Sequence, residues 1–395
     1  MNATDIQQGG RATGESAVCR PAPRALPKGL THEASRRFLV TEGLPGRAAD
    51  LDLRVVGEDR ELEVFDDEGR LFVIGETDYC DSNVVLDGVT GEVHLARWDV
   101  GDLSRDLLAS DLTAFTGLIR EVEALAPAPV DEGADDDRRG PGTVAEVVEA
   151  AGRRMRTIDP RLFAAGAAVA HWPTAVMVRS LRWGARPGGP GEPAYVLGPD
   201  LVEDLARLTG EGAVRRFRPE ELPAGLTHAP TRRLLTEAGL PLDGQAFVAH
   251  TGPLRTMGEA YPQYFEDPSD DRAYQRDFFA VGWWPHDLEI ALDGTTGRLE
   301  LPDWYDDGEP DAYLNRDLSA LLYALWTHGR MRAEWYRYEY DGDGDLGAWE
   351  AFDPRALLHH HVDALVQAVD PEAFATPGRS WRLLAEDDYT GGLLS

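Results

Sequence analysis

Apolar and polar positions along the chain follow the same grammar twice. From Leu26 to Pro45 the sequence reads LPKGLTHEASRRFLVTEGLP, and from Leu222 to Pro241 it reads LPAGLTHAPTRRLLTEAGLP. Twelve of the twenty positions are identical at an offset of 196 residues. Each stretch predicts one short helix. Thr31 and Thr227 stand where a capping hydroxyl would accept from the first unpaired amides. Pro230 suits a first turn, whose amides have no helical partner. Phe38 and Leu39, or Leu234 and Leu235, form the apolar face. Gly43 and Gly239 supply a left-handed residue after the helix, Leu44 and Leu240 its apolar contact, and Pro45 and Pro241 the stop. His32 and His228 follow the threonines and are expected to pack or hydrogen-bond at the helix start.

The runs that follow alternate as strands do. In the first half LDLRVV, LEVF and LFVIG are short β-rich segments parted by charged turns such as DDEG. NVVLDGVTGEVHLA predicts a β-hairpin turning at Asp87-Gly88 and Thr90-Gly91. A helix is expected from about Ser110 to Leu125, with Leu112, Phe115, Ile119 and Val122 on one side. The second half predicts strands near Phe278–Val281, Leu288–Leu292 and Arg298–Leu301, then a helix near Leu314–Thr327. Each half closes on helical segments around a DP turn and a tryptophan, Trp172 or Trp381.

The repetition keeps its order over the whole chain. TGESAV from Thr13 matches TGEGAV from Thr209 at 196, LDGVTGEVHLARW from Leu86 matches LDGTTGRLELPDW from Leu292 at 206, and IDPRLF matches VDPEAF at 211. A period near 200 residues is one whole domain written twice, not a solenoid array. The expected organisation is a first copy over residues 1–183, a Gly/Pro-rich linker over 184–194, and a second copy over 195–395. The predicted fold class is α+β, each copy a mainly antiparallel sheet flanked by helices. The acidic stretch from Pro127 to Gly142 is expected as a solvated loop.

Composition narrows the classes of partner. The chain of 395 residues has 39 basic and 70 acidic side chains, a net charge of −31. Such a surface repels nucleic acid and anionic lipid and steers basic proteins inward, although acidity also serves solubility alone. No apolar run is long enough to cross a bilayer, and the first residues lack the basic start and apolar stretch of a signal peptide. The two cysteines, Cys19 and Cys80, argue against a disulfide framework and point to a cytoplasmic setting.

Motifs that carry chemistry are scarce. YDGDGDLGAWE from Tyr340 spaces Asp341, Asp343 and Asp345 like a calcium loop, but Leu346 stands where the turn needs glycine and Phe352 where a bidentate glutamate belongs. His359, His360 and His361 are consecutive and would point in different directions on a helix. No nucleophile elbow, phosphate loop or dinucleotide fingerprint occurs. Catalytic residues, metal sites and cofactors are therefore not expected.

The copies differ most where the second gains ten residues, between its GLP stop and its LDG hairpin. That region holds EAYPQYFEDPSDDRAYQRDFF, rich in rings and carboxylates. Divided after Pro193, the first part carries −11 and the second −20. Aromatic anchors among acids are the composition of a surface that binds a basic partner. The competing reading is that these rings fill a larger core. The residues expected at such a surface are Tyr261, Tyr264, Phe265, Glu266, Asp267, Asp270, Asp271 and Tyr274. Trp304, Tyr305, Asp306 and Asp307 are expected to extend it.

The frame TGEGAVRRF, ELPAGLTH, RRLLTEAGLP, LDGTTGRL, LNRDLSAL, VDPEAF and a closing tryptophan resembles the SUKH superfamily of bacterial immunity proteins, specifically its fourth subfamily, which is widespread in actinobacteria. Both halves carry it. The resemblance implies an α+β fold that binds and neutralises a protein toxin, often a nuclease or deaminase domain, without catalysis. The first copy departs from the frame, with CRPAPRALP in place of RRFRPEELP and few rings, which suits a mainly structural role. An intracellular scaffold using the same duplicated fold, with no toxin partner, is the alternative.

Overall fold

The computed structural model describes residues 18–48, 53–54, 62–77, 82–99, 102–125, 144–164, 171–181, 184–198, 200–244, 247–267, 272–302, 312–339, 367, 369–376 and 378–382. Two compact units emerge. The first takes Met1–Ala124 and Arg153–Val169, and the second takes Ala170–Gly347 with most of the remainder.

In the first unit β1 (Val18–Cys19) precedes α1 (Glu33–Thr41) and pairs with β2 (Leu44–Pro45). A six-stranded antiparallel meander follows: β3 (Arg47–Ala48), β4 (Leu53–Arg54), β5 (Leu71–Thr77), β6 (Asn83–Asp87), β7 (Val93–Asp99) and β8 (Asp102–Ala109). LEVF contributes only an isolated bridge, Val64 to Phe72, because Asp66 turns the chain at once by accepting the amides of Arg70 and Leu71. Next comes α2 (Leu112–Glu123), capped by Asp111, whose carboxylate accepts from Ala114. The expected face of Leu112, Phe115, Ile119 and Val122 is buried. α3 (Val144–Ile158) follows, and the division between the units falls within it, after Gly152.

The second unit opens earlier than composition suggests. α4 (His171–Ser180) sends Met177, with Leu181 just beyond it, into the core of the second sheet. The stretch expected as a linker is a β-hairpin, β9 (Ala185–Pro187) paired with β10 (Tyr195–Leu197). It is fastened by Ala194 N–H to Asp317, Tyr195 N–H to Ser319 and the Tyr195 hydroxyl to the Val369 carbonyl. Glycine and proline there shape a turn rather than a free tether.

The grammar then repeats: α5 (Leu201–Thr209), β11 (Val214–Arg215), α6 (Ala229–Glu237), β12 (Leu240–Pro241), β13 (Val248–Ala249) and α7 (Met257–Ala260). With β13, the strands β14 (Phe279–Trp284), β15 (Leu288–Leu292), β16 (Leu299–Glu300) and β17 (Tyr313–Asn315) form a five-stranded antiparallel meander. The last helix, α8 (Leu318–Glu339), starts after Leu314 because residues 313–315 pair with β16 and Asp317 accepts the amides of Ser319 and Ala320. Both sheets shift register at two matching places, Val73/Gly75 with Ala280/Gly282 and Val93/His94 with Leu299/Glu300, so even the irregularities are duplicated.

The repeated sentence is a clasp. Thr31 does not cap α1; His32 occupies the cap position, with Nδ1 2.8 Å from the Ser35 hydroxyl. The amides of Thr31 and His32 both donate to the Gly88 carbonyl in the hairpin turn, and the Thr31 hydroxyl points there as well. Arg36 donates to the carbonyls of Pro27 and Leu30. The second unit repeats every element: Thr227 and His228 on Gly294, His228 against Thr231, and Arg232 on Pro223 and Leu226. Glycine is required in the turn because a Cβ on Gly88 would lie 2.5 Å from the Phe72 ring, and one on Gly294 2.6 Å from Phe279. The DP turns complete the design. Asp159 accepts the amide and hydroxyl of Ser110, and Asp370 accepts the amide of Arg316, each just before a helix. Both histidines that recur in the sequence are thus parts of the scaffold.

Candidate functional site

The region in which the second copy is ten residues longer builds a cover on one face of its sheet. Strand alternation sets that face. Ala280 opposes Ala291 and Ala291 opposes Glu300, so the three share a side, and Glu289 joins them two residues from Ala291. Val281, Ile290, Leu292 and Leu299 point to the opposite side, into the main core. On the Ala280 side Met257 and Phe265 pack on Ala280 and Ala291, with Ala260, Tyr261 and Phe278 around them. The covering segment is α7 followed by two 3-10 turns, Pro262–Phe265 and Ala273–Asp277. α7 begins with a full capping box in which the Thr256 hydroxyl accepts from Glu259 N–H and the Glu259 carboxylate accepts from Thr256 N–H. The segment's ends join the sheet through Met257 N–H to the Phe278 carbonyl and Ala280 N–H to the Arg255 carbonyl.

Two buried glutamates anchor the cover. Glu289, 1% exposed, accepts the Tyr261 hydroxyl at 2.7 Å and lies 2.9 Å from His250 Nε2. Glu300, 3% exposed, accepts the Tyr274 hydroxyl at 2.7 Å, the Gln275 amide at 2.8 Å and Arg298 Nε at 2.9 Å. Burial pushes the Tyr274 phenol up to about 12, and the carboxylate of Glu300 adds to the shift. Tyr261 is raised further by burial and by Glu289. Both phenols stay protonated and donate.

The sequence-predicted residues divide accordingly. Tyr264 and Tyr274 are 46% and 54% exposed, and Glu266 and Asp267 are exposed beside Tyr264. Tyr261 is half-buried, with its ring 6.2 Å from that of Tyr264. Phe265 is a correction: at 6% exposure it packs against the two alanines and supports the segment from beneath, leaving no ring for a partner. Asp270, Asp271, Trp304, Tyr305, Asp306 and Asp307 lie outside the described residues. So do the acidic turn from Tyr340 and the three consecutive histidines.

Glu289, Glu300, His250, Gln275 and Arg298 were missed. A signal for them exists in the comparison of the copies. Where the second unit has Ala280, Ala291, Glu289 and Glu300, the strand pairings of the first place Val73, Val85, Asn83 and His94. The second copy thus has alanines where the first has valines, and carboxylates where the first has Asn83 and His94.

Among the described residues no three His, Cys, Asp or Glu side chains form a group able to hold a metal ion, and no helix is long and apolar enough to cross a membrane. The fold is that of a duplicated α+β domain, one antiparallel meander with its helix clasp in each copy. A family model described as SUKH-4 immunity protein matches residues 6–177 and again 201–387. The chain belongs to that family of immunity proteins, which are generally non-enzymatic, and carries two tandem copies of its domain. No curated protein and no solved structure matches the chain.

Proposed function

We propose that the protein is a non-enzymatic immunity protein that binds and neutralises a basic bacterial toxin, of nuclease or deaminase type, through the acidic, aromatic cover of its second copy. One observation carries the reading. The segment by which the second copy departs from the first holds Tyr264 and Tyr274 exposed, with Glu259, Glu266, Asp267 and Asp277 exposed around them. Large rings on a held segment supply contact area at low entropic cost, and the acids steer a cationic partner. A nuclease site is lined with cations that contact phosphate, and a carboxylate-bearing surface fits into the same space. The first copy serves mainly as structure in this reading, and the cell compartment is the cytoplasm.

The test is co-expression with a toxin domain encoded beside the gene, together with a pull-down at low and high salt. Protection of the host and capture that weakens as salt rises are expected. Absence of protection with capture of non-specific proteins alone overturns the proposal, and stable capture of a non-toxin cellular protein would favour a scaffold instead.

A further inference from the structure

A surface segment of this kind binds a partner well only when its rings are held still beforehand. Two features on the covered face bear on how that is done. Glu289 and Glu300 stand inside strands, with side chains 0% and 4% exposed. Burying a carboxylate is expensive unless it is fully partnered, and an apolar pair of similar volume would serve stability as well. Their partners are also not spread at random. Each takes one phenol from the added segment, Tyr261 from the start and Tyr274 from the end.

We propose that Glu289 and Glu300 are positioning residues of the docking surface, holding the added segment on the sheet through the hydroxyls of Tyr261 and Tyr274 so that the rings of Tyr264 and Tyr274 are presented in fixed places. Tyr261 sets Tyr264 by ring contact at 6.2 Å, and Phe278 meets Tyr274 edge-on at 5.7 Å. Gln275, fully buried, adds an amide-to-carboxylate bond at Glu300. The latches also define what a partner meets. The Tyr274 hydroxyl is committed to Glu300, so the partner engages the ring itself, and the group that suits an aromatic face among carboxylates is a guanidinium or ammonium. The use of the surface rests on the toxin-binding reading; the latches do not.

The experiment needs no partner. Amide hydrogen exchange is measured on the full chain for wild type, Glu300→Gln, Tyr274→Phe and the double variant. Exchange at Glu259, Ala260, Tyr261, Tyr264, Gln275 and Phe278, whose amides are bonded within the segment, is expected to quicken about tenfold in each single variant, while β14 and β15 keep their protection. The double variant is expected to show little more than Glu300→Gln alone, because Tyr274→Phe deletes a bond that loss of the Glu300 charge has already weakened along with those to Gln275 and Arg298. Tyr274→Phe deletes only a hydroxyl, so it keeps the test readable if Glu300→Gln folds poorly. Unchanged exchange in the segment, equal acceleration of β14 and β15, or additive effects in the double variant would each overturn the proposal. Latches that pass while wild type gives no protection in co-expression would remove the toxin reading and leave the positioning role standing.

Discussion

Replacing Asp370 by alanine probes whether the duplicated motifs are scaffold. Its carboxylate, 2% exposed, accepts the Tyr313 hydroxyl at 3.0 Å, the Asn315 side-chain amide at 3.2 Å and the Arg316 amide at 2.8 Å. Tyr313 is 8% exposed and Asn315 1% exposed, so water cannot replace the lost acceptor at either. Each stranded buried donor costs about 1–3 kcal/mol. Asp370→Ala is therefore expected to destabilise the second unit by roughly 3–5 kcal/mol, of the same order as a small domain's entire margin. At about 2–4 °C per kcal/mol for a unit of this size, its melting transition falls by on the order of 10 °C. Asp370→Asn keeps one acceptor oxygen and should lose about half as much. Calorimetry resolves the transition, and tryptophan fluorescence in urea reports the same unit, because Trp284, Trp326 and Trp381 are buried in its core. A loss below about 1 kcal/mol, or a loss of toxin binding with stability intact, would refute the scaffold argument.

Three other outcomes are expected. Tyr264→Ala should weaken toxin binding tens of fold at unchanged stability, since the exposed 46% of that residue corresponds to about 70–115 Å² of contact and roughly 2 kcal/mol; titration calorimetry with the toxin domain checks it, and unaltered affinity removes Tyr264 from the surface. Gly294→Ala should cost more than about 2 kcal/mol in urea unfolding because its Cβ would press on Phe279 and the Gly225 carbonyl, whereas Gly252→Ala, with nothing within 4 Å, should be near neutral. His328 is fully buried and stacked on Trp381, and burial lowers its pKa from 6.5 to about 3. Above pH 6.5 neither state protonates it; below, the unfolded chain takes a proton that the folded one refuses, so stability falls by about 1.4 kcal/mol per pH unit toward pH 3. His328→Phe should flatten that slope between pH 6.5 and 5, and an unchanged slope would show that His328 is not the group refusing the proton.

The meander, α2, the hairpins and both C-terminal glycines of the clasp helices, Gly43 at φ 75° and Gly239 at φ 84°, were legible because local patterning and duplication said the same thing. The cap was misplaced by one residue for a physical reason. Thr31 and His32 are equally suitable locally, and the choice is made by the Gly88 carbonyl 57 residues away, which draws the threonine hydroxyl outward. Exposure of Tyr264 and Tyr274 agreed with composition, but Phe265 did not stand with them, since one side of a 3-10 turn must face the sheet. Glu289 and Glu300 escaped notice because acids in an alternating strand read as the wet side; only the cover makes that side dry. The allegiance of α4 was equally hidden, because chain order places it with the first copy while packing places Met177 in the second.

That allegiance limits how genes of this kind can exchange parts. A crossover at the glycine- and proline-rich stretch looks harmless on paper, yet it would leave the second module without Met177 and Leu181 and with half of the β9–β10 hairpin replaced. Chimaeras that keep this packing need their joint ahead of His171, so the stretch that must move together is longer than the repeat that the sequence displays.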